Sequence, residues 1–184
     1  MLRDCLFRVT PGGALLLGML VFLLNGDELA ALGAAVAVHE AGHLLALCSS
    51  GARLKTFSLQ ATGPVLHCTA LPSGAAAVFA ALSGPAAGLA FWKLAVFRWT
   101  LAAETSLVLS LVNLLPVLPM DGGRALLALV GSLPFGDTLM RVLRLSMIAA
   151  LAALGALCVA RGYGAAPLLL SVWLLAAPSC LTGL

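Results

Sequence analysis

Three residues within five positions carry the first chemical signal in the chain: His39-Glu40-Ala41-Gly42-His43. On a helix, residues four apart sit nearly above one another, roughly 6 Å along the axis. Imidazoles at 39 and 43 can therefore serve a single metal ion, with Glu40 beside them and within reach of its water. This is the HExxH pattern, in which two histidines bind zinc and the glutamate acts as general base. The bland alternative is a chance match on a solvated helix face. The surroundings count against it. The pentapeptide lies in the apolar stretch Leu29 to Cys48, where Glu40 is the one acidic residue. An ionisable group at the middle of a membrane span costs about 2.5–3.5 kcal/mol and is usually functional.

Catalytic zinc takes three protein ligands and keeps a fourth position for water, so a third ligand is expected at a matching depth. The segment from Asn113 to Arg124 supplies Asp121, which follows Pro116 and Pro119 and precedes Gly122 and Gly123. That setting suits a backbone leaving helical geometry to aim a carboxylate sideways. The plainer reading is a turn after a span. One Zn²⁺ against the carboxylates of Glu40 and Asp121 sums to zero, which eases the burial of charge. The implied chemistry is metal-assisted hydrolysis with one zinc ion per chain. Glu40 would take a proton from water and return it to the leaving amine.

The elements that must hold these residues follow from composition. The chain has 184 residues, 62% hydrophobic and only 9% charged, with a mean hydropathy of +1.11. An ordinary soluble domain is about 25% charged, so this chain has too few charges to cover a water-facing surface. Disorder, a collagen-like repeat and a disulfide scaffold are excluded as well; Cys5, Cys48, Cys68, Cys158 and Cys180 are scattered and read as free, apolar thiols. The expected class is an all-α polytopic membrane protein of one domain. Six spans are expected, at about 9–25, 29–48, 75–92, 105–119, 143–160 and 164–181. A cleaved signal peptide is the rival reading of the first. The net charge of +3 is spread thinly, so no nucleic-acid partner is expected.

The basic residues beside the spans give the orientation. With a cytoplasmic N-terminus, Arg3, Arg8, Arg53, Lys55, Arg124, Arg141 and Arg144 lie inside, against Lys93, Arg98 and Arg161 outside. Both termini are therefore expected in the cytoplasm. His43 then lies on the order of 7–8 Å from the cytoplasmic end of its span, and Asp121 falls at the same face. Residues 53–70 do not read as a span. Polar and apolar residues alternate from Lys55 to Gln60, then Thr62-Gly63-Pro64 intervenes, so a small β-hairpin is expected.

These residues resemble the site-2 protease family of intramembrane zinc metalloproteases. The resemblance rests on three blocks: His39 to His43, Ser83-Gly84-Pro85 with Gly88, and Asn113 to Gly123. It implies His39, His43 and Asp121 as zinc ligands, Glu40 as the catalytic base, and Asn113 as the group that steadies the substrate carbonyl. In outline the chain is similar to the compact six-span bacterial branch, typified by the protease that processes a sporulation sigma-factor precursor. That implies a bacterial cell membrane, a membrane-embedded or membrane-associated substrate cut near the cytoplasmic face, and a regulatory membrane protein as a further partner. It also implies that the hairpin pairs with an unwound stretch of substrate. Unlike in other branches, neither an inserted PDZ domain nor a CBS pair is expected. Gly88 stands where family members often carry Asn. Gly84 and Pro85 can serve close helix packing or a kink. The rivals are a prenyl-protein protease, a metal-binding transporter and an inactive scaffold. The first takes its third ligand from a glutamate on a later helix, and no later Glu-rich helix exists here, the last acidic residue being Asp137. Transporters tend to spread polar residues over several spans.

Overall fold

The computed structural model describes residues 6–52, 54–60, 63–68 and 74–176. The chain opens with a short strand, β1 (Leu6–Val9), and a helix, α1 (Pro11–Leu23). Thr10 caps α1, its hydroxyl accepting from the Gly13 N–H at 3.1 Å, and Pro11 suits the first helical position because its missing N–H would have no partner there. The next helix, α2 (Gly26–Ser49), begins with a reciprocal cap. Asn25 Oδ1 accepts from the Glu28 N–H, and Glu28 Oε2 accepts from the Asn25 N–H, both at 2.9 Å.

Two strands follow, β2 (Leu54–Gln60) and β3 (Gly63–Cys68), paired antiparallel as the expected hairpin. The sheet differs from that expectation in two ways. Gly63 and Pro64 belong to β3, opposite Gln60 and Leu59, so they are strand and not turn. A third strand also joins: β1 lies parallel to β2, from Leu6 opposite Thr56 to Val9 opposite Leu59. Phe7 and Phe57 stack across that pair at 5.6 Å. The expected turn residue Thr62, the flanking charges Arg3 and Arg53, and Cys5 and Cys180 lie outside the described residues.

The remainder is helical: α3 (Ala75–Ala95), α4 (Thr100–Asn113), α5 (Asp121–Val130), α6 (Gly136–Ala160) and α7 (Ala166–Ala176). Among the described residues, α2, α3 and α6 are long and apolar enough to cross a membrane. The 24 residues of α2 rise about 36 Å, against a hydrocarbon core of about 30 Å. The other expected spans are shorter. The first becomes β1 plus 13 residues of α1. The fourth runs 100–113 and not 105–119, because Pro116 and Pro119 bar its continuation. The sixth is described only over 166–176. One helix, α5, lies where a turn was expected.

Small residues make up much of the interior, and many large apolar ones face outward. Ala31, Ala35, Ala102 and Ala103 are completely buried, whereas Phe22, Leu94 and Phe97 stand almost fully exposed. A water-soluble protein sorts residues the other way. In lipid, where tails are as apolar as leucine, close approach of small residues is what joins helices. Gly42 brings α2 onto α3: a Cβ there would stand 2.5 Å from Ser83 O and 2.8 Å from Ala87 Cβ. A hydrophobic cluster ties the segment after α4 to α6 and α7, with Met120, Ile148 and the fully buried Leu174 at its centre.

Candidate metal site

His39 and His43 lie in the second half of α2, on the face turned toward the other helices. His39 is buried and His43 nearly so. Their rings meet edge to face, with centroids 4.8 Å apart, and the two Nε2 atoms approach to 3.2 Å. The third member comes from α5. Asp121 Oδ2 stands 3.0 Å from His39 Nε2 and 3.2 Å from His43 Nε2. These three residues form one group able to hold a metal ion.

Asp121 is aimed by backbone contact. After α4 the chain runs through Leu114 to Met120, including a cis Leu118–Pro119 peptide, and then re-enters a helix with Asp121 as the first residue of α5. The expectation of a backbone leaving helical geometry at Asp121 is therefore reversed. A Cβ on Gly122 would overlap Leu114 O, and one on Gly123 would overlap Val117 C. Only glycine lets the first turn of α5 lie directly on the 114–118 segment, so the close fit sets where the carboxylate points. Its two oxygens have different partners: Oδ2 faces the histidines, while Oδ1 lies 3.8 Å from Nη1 of the half-exposed Arg124. Burial by itself would raise the Asp121 carboxyl, but hydrogen bonding to His39 and then His43 outweighs it and brings the group down to about 2.

His43 has its tautomer settled by the protein. Its Nδ1 lies 2.8 Å from Ala80 O, and a carbonyl only accepts, so Nδ1 carries the proton and donates. In the neutral ring Nε2 then holds a lone pair. The buried Nδ1 of His39 has no hydrogen-bond partner among the described residues.

Two imidazole nitrogens and a carboxylate oxygen thus converge in a buried place, 3.0–3.2 Å apart. Such a group repels itself unless a proton or cation sits among its members. Ligands at about 2.0–2.2 Å from a tetrahedral zinc ion stand roughly 3.3–3.6 Å from one another. The observed separations match that within a few tenths of an ångström, so the donor set and its spacing fit a divalent cation of zinc's kind. Glu40, half-buried and adjacent to His39, lies within electrostatic reach of His43, His39, Asp121 and Arg124. It is not in the group of ligand atoms.

Asn113 is the last residue of α4, and its Nδ2 donates to Leu109 O at 3.0 Å, one turn back on its own helix. The structure thus gives its amide a partner on α4 and none in the His-His-Asp group. Two features of the site had no clear signal in the sequence. One is the Ala80 carbonyl, since a backbone acceptor has no residue type. The other is Gly84, whose neighbour is the His43 ring; its place in the Ser-Gly-Pro block was the available hint.

No family model matches the chain, and no curated protein sequence matches it. Its fold is similar to that of a solved structure, the site-2 protease from Methanocaldococcus jannaschii, with a TM-score of 0.69 and 18% sequence identity over 95% of this chain and 89% of that one. The resemblance carried by three short blocks is therefore met by a likeness of the whole fold.

Proposed function

We propose that this chain is an intramembrane zinc metalloendopeptidase of the site-2 protease kind, hydrolysing a peptide bond of a membrane-embedded or membrane-associated substrate near the cytoplasmic face. The observation that carries the reading is the convergence of His39 Nε2, His43 Nε2 and Asp121 Oδ2 to within 3.2 Å of one another, from two helices almost 80 residues apart. The protease-like fold and the lipid-type sorting of residues support it.

In this reading His39, His43 and Asp121 hold the ion, whose bound form supplies Lewis acidity that activates water and polarises a carbonyl. The residues of the chain do the rest. Glu40 is the group beside the ligands that is not itself a ligand, so it is free to take a proton from the attacking water and to pass it to the leaving nitrogen. Ala80 O keeps the proton of His43 on Nδ1 and so keeps Nε2 available as a ligand. Arg124 holds the Asp121 oxygen that the histidines do not face. Asn113, at the end of α4, supplies an amide to the substrate carbonyl; to do so it exchanges its bond to Leu109 O for one to substrate.

The sheet supports a peptide substrate. A protease needs its substrate extended, and strand addition holds a peptide in that form. Among the described residues β2 is flanked on both sides, by β1 and β3, so a substrate strand would add at the outer side of β3 or β1. The Glu40→Gln variant tests the whole reading. Reconstituted in vesicles with single-span model substrates, it is expected to lose cleavage by about 10²–10⁴-fold while keeping one zinc per chain. Undiminished cleavage by this variant, or wild-type protein that holds no zinc, refutes the proposal.

A further inference from the structure

The middle block of the sequence, on α3, meets the site at one atom group. A Cβ built on Gly84 would overlap Nε2 of His43 and stand 2.6 Å from both Cδ2 and Cε1 of the same ring. One turn earlier on the same face, Ala80 O accepts from Nδ1 of that ring at 2.8 Å. Residues four apart on a helix share a face, so α3 meets the imidazole twice. A carbonyl holds one nitrogen, and a side-chain-free Cα leaves room for the other.

Helix approach alone does not account for this. Backbone spacing between α2 and α3 is set at Gly42, whose missing Cβ faces Ser83 O and Ala87 Cβ. Gly88, one turn beyond Gly84, faces the Ser106 and Ser110 hydroxyls on α4, and Ser106 Oγ donates to Gly88 O at 3.0 Å. Among these three glycines, Gly84 is the one whose missing side chain faces the ring. We propose that Gly84 is a positioning residue for His43: together with Ala80 O it forms a socket that holds the ring with Nε2 turned to His39 and Asp121. A methyl group at 84 forces the ring either to rotate, losing its bond to Ala80 O, or to push α3 away and take that carbonyl with it.

This inference rests on the metalloprotease reading, and its test keeps the two separable. Zinc affinity of the detergent-purified full chain is read by competition with a chromophoric chelator, and Co²⁺ substitution reports ligand geometry through its visible bands. Gly84→Ala is expected to bind zinc about 10–100-fold more weakly, the usual effect of disturbing what orients a ligand, with altered Co²⁺ bands. Gly88→Ala, an equal enlargement one turn on that meets the α4 serines and not the ring, is expected to keep the wild-type Co²⁺ bands, and bands altered as in Gly84→Ala overturn the socket. Wild-type zinc affinity and Co²⁺ bands in Gly84→Ala overturn the socket. A wild-type chain without zinc overturns the metalloprotease reading instead, and a metal-free arm then decides the socket. In a His43→Ala background the added methyl has room, so Gly84→Ala should lower Tm in the wild-type chain and not in that background. An equal loss in both backgrounds overturns the proposal. Where Gly84→Ala alone does not fold, recovery of folded protein in the double variant supports the socket, and continued failure overturns it.

Discussion

Replacing Asp121 by alanine removes the one member of the His-His-Asp group that does not come from α2. Its Oδ2 lies 3.0 and 3.2 Å from the two imidazole nitrogens, so it closes the triangle that would hold the ion. Structural zinc sites with four protein ligands bind with about 10–16 kcal/mol, or about 2.5–4 kcal/mol per ligand if the shares are equal. Loss of one ligand should therefore weaken zinc binding by about 10²–10³-fold. The accompanying loss of the Arg124 pair adds little, because that contact is 3.8 Å long and its arginine half-exposed. The assay is chelator competition on detergent-purified protein. Asp121→Asn, which keeps the shape and loses the charge, should fall between wild type and Asp121→Ala. An affinity for zinc in Asp121→Ala within about threefold of wild type would refute the three-ligand site, since no other described carboxylate stands in the group.

Other consequences are open to direct measurement. Asn113→Ala should lower turnover by about 10²–10³-fold, the usual effect of removing one donor to a developing oxyanion, with zinc affinity untouched; unchanged turnover removes Asn113 from the reaction. Stripping the metal with a strong chelator should abolish cleavage and lower Tm, and stoichiometric zinc should restore both, because an ion that binds only the folded chain stabilises it; cleavage that survives in chelator ends the metalloenzyme account. Leu174→Ala, at a fully buried position packed with Met120 and Ile148, should destabilise the protein by about 2 kcal/mol. That is the low end of the range for such truncations, since lipid is as apolar as the interior and mainly packing is lost. An unchanged melting curve would mean that α7 does not pack on the rest.

The fold was legible in the sequence where the signal was local and long. α2, α3 and α6 are continuous apolar runs, and each lies where composition put a span. The shorter elements show what length alone misses. Thr10-Pro11 marks a helix start, and Asn25 with Glu28 marks another, so the true ends of α1 and α2 could have been read from caps and not from apolar extent. β1 was not legible at all. It is four residues long, and its partner Thr56 to Leu59 lies some 50 residues on; a parallel pairing so distant leaves no mark on local sequence. α5 was hidden by its own first turn, because Gly122 and Gly123 lower helix propensity there. They stand where they do because the Leu114–Leu118 backbone leaves no room for a Cβ.

The site divides along a related line. His39, Glu40 and His43 could be read because a helix turns predictable spacing into proximity, and because polar residues are rare enough in this chain to stand out. Asp121 could be read for the second reason only: its distance from the histidines depends on how α5 lies against the end of α4. What could not be read is what orients the members of the group. The Ala80 carbonyl sets the tautomer of His43, yet every residue has a carbonyl. Gly84 makes room for the ring, yet its contribution is an absent atom. The charged and aromatic groups of a site announce themselves by type, while the groups that aim them act through backbone and empty space. For this chain the three members of the His-His-Asp group came from residue identity, and their orientation came from the packing of α3 against His43 and of α5 against the 114–118 backbone.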